Sequence, residues 1–492
     1  MYPSKPHRKI NLLTILLLVI ILPGSADRAS GQQRPDLLFV QTPARNAAET
    51  PGSNETRDYA ERYADGTRIM VLPASASQPT NLTPDFTAAC DPDVSFDGKT
   101  ILFAGKQNPA DSWQIWRMNA DGSGKIQLTS GERDHFAPVH AGARFYLNDP
   151  QPTPQIIFVS NRHGWLARNG KEPVFSLYAM DHQGETIRRI SYNLSSDFDP
   201  EVLPNGRIVF SSRQQADNRY PPDGLTALLA INNDGTDLMP YFGNHESPTI
   251  KSMASVADFG ERVYFIESDH PGWLRGGDIA SVSRQRPMHS YRKLSQTDRG
   301  AFLSPCPLPD GGLIASYRSS SSPGPIYFGI FRVDPQSGRR GAEIFAQANY
   351  HSVDAQVLAS HPGVKGRSNW LIPGSTTGVF FSLNTYRTNL PEGESIQQGQ
   401  IKHVRVLEGL PMTNQSSGQL SSDDPGFPNT NTFNPRRILG VAPVEPDGSF
   451  QVKVPAKIPV TFQLLDEDYV ALRTQRAWTW VMGNENRGCI GC

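Results

Sequence analysis

A repeat of about 52 residues runs through the middle of the chain and leaves few folds open to it. Its unit is a short polar-then-apolar run, a turn ending in glycine, and an apolar strand. It reads Asp91-Pro92-Asp93-Val94-Ser95-Phe96-Asp97-Gly98 before Ile101-Leu102-Phe103. It returns as Asp199-Pro200-Glu201-Val202-Leu203-Pro204-Asn205-Gly206 before Ile208-Val209-Phe210. Looser copies end at Gly260 and Gly311, and a last one covers residues 354–363. The turn glycines at 98, 206, 260, 311 and 363 are spaced by 108, 54, 51 and 52 residues. The doubled first interval predicts one more copy, which residues 136–142 supply ahead of Ile156-Ile157-Phe158-Val159. Each copy also holds a second turn, as at Asn119-Ala120-Asp121-Gly122 and Asn232-Asn233-Asp234-Gly235. Asp-Gly and Asn-Gly pairs between β-prone runs are hairpin turns, because glycine accepts positive φ.

About four strands per repeat is the content of a propeller blade, so six copies predict six blades. The sixth copy lacks outer strands. Residues 37–41, 68–72 and 80–83 are predicted to supply them, closing the ring with both chain ends and removing open sheet edges. The rest of residues 27–60 reads as a loose leader. Composition fits: Gly 42 and Pro 41 of 492 residues make about 17%, against about 12% on average. The 23 Phe, 15 Tyr and 7 Trp can build a large core, which excludes disorder. A net charge of -1 lacks the basic footprint of a nucleic-acid binder.

Asp-Pro-x-Val-x-x-Asp-Gly before a strand, then Asn-x-Asp-Gly before Leu128-Thr129, resembles the six-bladed propellers of the TolB type. The fold expectation is therefore all-β: a six-bladed TolB-like β-propeller over residues 27–364, then a small β-rich middle domain over 365–492. A propeller alone assigns no function.

The N-terminus has the three parts of a secretory signal: Lys5, Arg8 and Lys9, an apolar run over residues 10–22, and small residues at Gly24-Ser25-Ala26. The run is short for a membrane span. Cleavage near Ala26 and export to the periplasm or another extracytoplasmic compartment are expected, with no membrane span afterwards. An uncleaved anchor is the alternative.

Past the propeller, Ser, Asn, Asp, Pro and Gly over residues 412–435 mark a surface loop. Residues 449–454 and 460–465 alternate as a small antiparallel sheet with a hairpin at Asp447-Gly448. Residues 476–481 read as an aromatic strand. The chain then reads Arg487-Gly488-Cys489-Ile490-Gly491-Cys492. Cys-x-x-Cys serves redox pairs, zinc sites and c-type haem attachment. No βαβ context and no second Cys pair accompany it. Haem attachment requires a histidine directly after the second cysteine, and a chain that continues past Cys492 with that axial histidine is one reading. A natural stop with a free or disulfide-bonded pair is the other.

An exported propeller, Pro443-Val444-Glu445-Pro446-Asp447-Gly448-Ser449-Phe450, Gln463-Leu464-Leu465-Asp466-Glu467-Asp468, Trp478-Thr479-Trp480-Val481 and the terminal Cys pair together resemble hydrazine synthase alpha-subunit-like proteins. The resemblance implies a middle domain that binds a c-type haem through Cys489 and Cys492; the preceding Leu472, Trp478 and Trp480 are then expected to shield one haem edge and lower the local dielectric. It also implies a redox partner or other subunits. The reaction is not carried over.

A second site is expected in the propeller channel. Aligning the copies puts Asp91, Asp199, Ser304 and Asp354 in one ring and Asp93, Glu201, Cys306 and Gln356 in another. Period-two alternation points both to one side. If that side is the channel, Cys306 and Asp93 can approach a metal such as zinc. Alternatively the acids cap turns, Cys306 is a small buried hydrophobe, or Cys90 and Cys306 form a disulfide. The loops carrying Arg162-His163-Gly164-Trp165 and Asp269-His270-Pro271-Gly272-Trp273 either meet a haem edge or partner, or pack locally. No His-x-x-x-His or Gly-x-Ser-x-Gly occurs, so hydrolysis has no support. Two functions remain: a haem-bearing component of an oxidoreductase or electron-transfer system, or a non-enzymatic envelope propeller for binding and scaffolding.

Overall fold

The computed structural model describes residues 34–44, 62–146, 149–167, 172–214, 225–243, 252–269, 273, 276–295, 300–319, 327–388, 396–413, 435–475 and 477–490. The segment expected to be a signal, His270, most of the 412–435 loop and Cys492 lie outside them. The described residues include the short 3-10 turn Pro287–His289 and no helix long and apolar enough to cross a membrane.

Six blades form a ring. Their innermost strands are Ala88–Val94, His135–Tyr146, Asp197–Val202, Ser252–Phe259, Gly300–Pro307 and Tyr350–Val357. Blades one to five each continue outward through three further strands in chain order. Blade six is built as the incomplete last repeat predicts. Tyr350–Val357 pairs with Leu37–Pro43, followed by Arg68–Leu72 and Thr80–Asn81. The core lies between neighbouring blades, and alternation along the closing strand decides which neighbour each side chain meets. Leu37 and Phe39 pack towards blade five with Ile314 and Ile330, while Leu38 packs towards blade one with Ile101 and Phe103. All three are fully buried.

The last repeat departs from expectation at its glycine. After Val357 the chain leaves the blade, and Gly363 closes no hairpin. The departing segment runs along the inner turns of other blades, where glycine is required for close approach. A Cβ on Gly98 would sit 2.6 Å from the Ser360 backbone nitrogen, and one on Gly206 2.2 Å from the Lys365 carbonyl. The segment then adds Arg367–Ser368 in parallel to the innermost strand of blade two.

Two further sheets follow. One orders Phe450–Pro455, Thr377–Ser382 and Asn486–Cys489; the other orders Arg436–Pro443, His403–Gly409, Val460–Leu465 and Ala471–Thr474. They share a core of Phe380, Val404, Phe450 and Phe462. Two expectations change here. The Asp447-Gly448 turn is tight, with Gly448 at φ 88°, but the strands it joins lie in different sheets. It is a crossover between layers, not a hairpin. Residues 477–481 form no strand: Thr479 makes an isolated bridge to Val460. Trp480 instead enters the propeller's core cluster with Met482.

Candidate functional site

Every innermost strand carries one extra residue relative to its neighbour. The register slips between Cys90 and Asp93, Phe136 and Val139, Phe198 and Glu201, Ala254 and Ala257, and Leu303 and Cys306. In blade six it slips opposite Leu38 and Val40. Such bulges re-aim a side chain. The bulged residue takes positive φ in all six: Asp91, Ala137, Asp199, Ser255, Ser304 and Asp354, between 45° and 53°. Among residues with a Cβ, short polar side chains such as Asp tolerate this region best. The first predicted ring is thus confirmed and extended by Ala137 and Ser255.

Two side chains fill it. Arg62 and Tyr63, on the connection between the second and third strands of blade six, are 7% and 3% exposed. Arg62 forms a two-pronged pair with Asp199, at 2.7 and 3.1 Å. The Tyr63 hydroxyl lies 2.6 Å from carboxylate oxygens of both Asp91 and Asp354. Because these acids come from blades one, three and six, they meet only on the ring axis. Ser304 donates to Asp354, and the Ala137 N–H donates to Asp91 at 2.9 Å. Trp273 caps the pair, its ring 4.6 Å from the Arg62 guanidinium and 5.6 Å from the Tyr63 ring. Burial pushes the Asp91 carboxyl up to about 6 against the pull of Arg62. A phenol has one hydrogen to donate, so two short contacts to it match a site where one acid retains its proton.

Asp93, Glu201, Cys306 and Gln356 lie two residues further on, and Asp93 and Gln356 each accept an N–H from the next blade. Asp93 takes it from His140 (2.8 Å) and Gln356 from Val94 (3.3 Å), while the Asp258 and Val357 backbones of the next blades lie beside Glu201 and Cys306. This second ring is therefore an inter-blade stitch, a role the sequence reading missed. Asp93 also bonds the His140 imidazole. Among the described residues no three His, Cys, Asp or Glu side chains converge as a metal site would require. Cys90, Cys306 and Cys489 are free thiols, so the Cys90–Cys306 disulfide is not formed.

Burial, with Asp93 and Asp258 nearby, pushes Glu201 up to about 8, from an ordinary 4.5. The folded state therefore binds the proton more tightly than the unfolded chain. Stability is highest below pH 4.5 for this group and falls as pH rises towards 8, by at most about 1.4 kcal/mol per pH unit. Glu201→Gln is expected to flatten that slope and to raise the unfolding midpoint at pH 8 more than at pH 5. Equal effects at both pH values would show that Glu201 is not a proton-holding group.

The terminal motif sits at the other end of the molecule's chain path. Asn486–Cys489 is the edge strand of its sheet, paired in parallel with Thr377–Ser382. Cys489 is half-buried and burial pushes its thiol up, while Ile490 is 83% exposed. The segment before it anchors to the propeller. Trp480 packs on Tyr192 (6.2 Å), Met482 touches Gly235, and Glu485 accepts the Asp237 N–H at 2.7 Å. Trp478 lies against Gly409 and beneath Arg436, and Leu472 is 37% exposed. The two tryptophans thus serve this packing. The two His-Trp loops also differ from each other: Trp273 caps the channel, whereas Trp165 stacks under Arg189 at 3.9 Å and burial holds His163 neutral.

Residues 399–492 match the family described as the hydrazine synthase alpha subunit middle domain. The chain is 27% identical to hydrazine synthase subunit alpha of Kuenenia stuttgartiensis, covering 93% of this chain and 65% of that protein. It thus spans about two thirds of the length of the relative it matches. The solved structure of Kuenenia stuttgartiensis hydrazine synthase superposes with a TM-score of 0.77 at 24% identity, over 93% of this chain and 69% of that one. TolB from Acinetobacter baumannii is a more distant likeness, with a TM-score of 0.42 at 13% identity, over 65% of this chain and 66% of that one. By sequence and by fold, this chain resembles the hydrazine synthase alpha subunit, with a six-bladed propeller followed by a segment that matches the middle domain of that subunit.

Proposed function

We propose that this chain is the propeller-bearing part of an exported c-type haem protein, working as a subunit of an oxidoreductase or electron-transfer assembly. The observation that carries this reading is the middle-domain match, which runs through both cysteines of the terminal motif. The geometry around Cys489 supports it. Cys489 ends an edge strand, its side chain packed at the margin of the middle-domain core, and the chain emerges into solvent at the next residue, Ile490. Cys489 and Cys492 would hold the haem as thioethers. When bound, the haem supplies an iron that accepts and passes on one electron. The chain's own contribution is placement: the Trp480, Met482 and Glu485 contacts fix the attachment strand against blade three. Other subunits are expected, as the relative is named as a subunit.

The test is production of the full-length gene product with cytochrome c maturation factors. A covalent haem is expected on haem-stained gels and in the absorption spectrum. Cys489→Ser with Cys492→Ser is expected to abolish it while leaving the propeller folded. A colourless wild-type protein, or haem extracted by acid acetone, overturns the reading.

One observation favours the second reading, a propeller that binds or scaffolds without catalysis. The channel acids are occupied by the chain's own Arg62 and Tyr63. An assembly that forms with haem-free protein would support it.

A further inference from the structure

Blade two encloses two guanidinium groups that have no carboxylate partner. Arg144, on its innermost strand, is 2% exposed, and Arg188 lies on its outermost strand. Arg144 donates to the Asn369 side-chain oxygen at 2.6 Å. Arg188 donates to the Gln155 side-chain oxygen and, at 3.3 Å, to the Asn233 carbonyl. These acceptors are neutral. Among the described residues neither arginine has an acid within ion-pairing distance, although buried charges are ordinarily paired. Each also keeps a buried Nε–H without an acceptor. Arg367, on the segment leaving the propeller, is paired with Arg144 across the parallel ladder and has the same orphan Nε–H.

The nearby acids are engaged elsewhere. Asp181 accepts from the Gln183 and Glu185 N–H groups and the Thr186 hydroxyl, at 3.1, 2.8 and 2.9 Å. Asp234 commits one oxygen to the Thr236 N–H and hydroxyl, at 3.0 and 2.6 Å. Its other oxygen is buried without a donor, as is the Asn233 side-chain oxygen, and both residues are 1% exposed. The charges sense one another: burial first and then Arg144 pull Arg188 down to about 10, and Asp234 acts on Arg144, Arg188 and Arg367 alike.

The region thus holds unmatched donors on three arginines and unmatched acceptors on Asn233 and Asp234. A fully deprotonated oxyanion satisfies only the donors. A hydrogen phosphate ion satisfies both sets, accepting from guanidinium N–H groups through its oxygens and donating its P–OH to Asp234. We propose that the cluster of Arg144, Arg188, Arg367, Asn233 and Asp234 is a binding site for inorganic hydrogen phosphate, selective against sulfate. It joins blades two and three to the Arg367–Ser368 crossing, so its occupation ties the departing segment to the propeller. It does not depend on haem attachment.

The experiment is titration of the full chain, at pH 7 and matched ionic strength, with inorganic phosphate, sulfate and chloride, read by calorimetry and thermal unfolding. A saturable phosphate response is expected, with phosphate about tenfold or more tighter than sulfate because sulfate leaves the Asp234 acceptor unmatched. Arg188→Gln is expected to weaken phosphate binding about tenfold. Asp234→Asn adds a donor where an acceptor stood and should remove the preference over sulfate. That variant keeps the test open if Arg188→Gln fails to fold. A phosphate response no greater than chloride's, equal phosphate and sulfate binding in the wild type, or an unchanged preference in Asp234→Asn overturns the proposal.

Discussion

Replacing Phe39 by alanine is expected to destabilise the protein by about 3–5 kcal/mol, the range for a fully buried aromatic truncated to a cavity. Phe39 is 0% exposed and packs, tilted by 49°, on Phe345 at 5.3 Å between ring centroids. It also stands on the strand that closes the ring, where Leu37–Pro43 bridges Tyr350–Val357 to the rest of blade six. A cavity there weakens both the contact to blade five and the join between the two chain ends. The unfolding midpoint in urea measures the loss. Ile438→Ala, at a site 61% exposed, serves as the control and is expected to change stability by less than about 0.5 kcal/mol. A Phe39→Ala loss no larger than the control's would mean that the closing strand is not part of the cooperative core.

What was legible in the sequence was whatever repeats. The Asp-Pro-x-Val segment recurs because each innermost strand needs the same bulge and the same turn, so the ring of Asp91, Asp199, Ser304 and Asp354 aligns by inspection. Its occupants do not. Arg62 and Tyr63 occur once, next to a stretch that reads as loose leader. Their acceptors are 137, 28 and 291 residues away in sequence. Only closure of the ring brings them together. The stitching role of Asp93 and Gln356 is hidden for a related reason. Their partners are backbone N–H groups of the next blade, and a backbone donor leaves no residue type to recognise. The Asp447-Gly448 turn announces its tightness but not which sheet receives the next strand, and Trp480 reads as strand until packing against Tyr192 claims it. At Cys489 the reverse holds: the motif is plain in the sequence, and the structure adds the edge strand that presents it.

Arg62→Ala is expected to have the second large effect, because it removes the two-pronged guanidinium partner of the buried Asp199. Side-chain exposures of 5% and 12% for Arg62 and Asp199 place this in the class where removing one partner costs about 3–5 kcal/mol. Its pH dependence distinguishes it from a simple packing loss. Arg62 is also the cation that lowers Asp91 and Asp354 against burial. Asp91 already titrates near 6 in the folded protein, above its ordinary 3.8, so its contribution to stability declines as pH rises between those values. Without Arg62 the folded-state value moves higher, and the decline extends to higher pH. The deficit of Arg62→Ala should therefore widen from pH 5 to pH 8, while Trp273→Ala, which removes the cap but no charge, should show a deficit that is flat with pH. Unfolding curves of both variants across that range decide the matter. Parallel pH profiles for the two would show that Arg62 acts through packing on Trp273, and that the three acids of the ring hold their charge state without it.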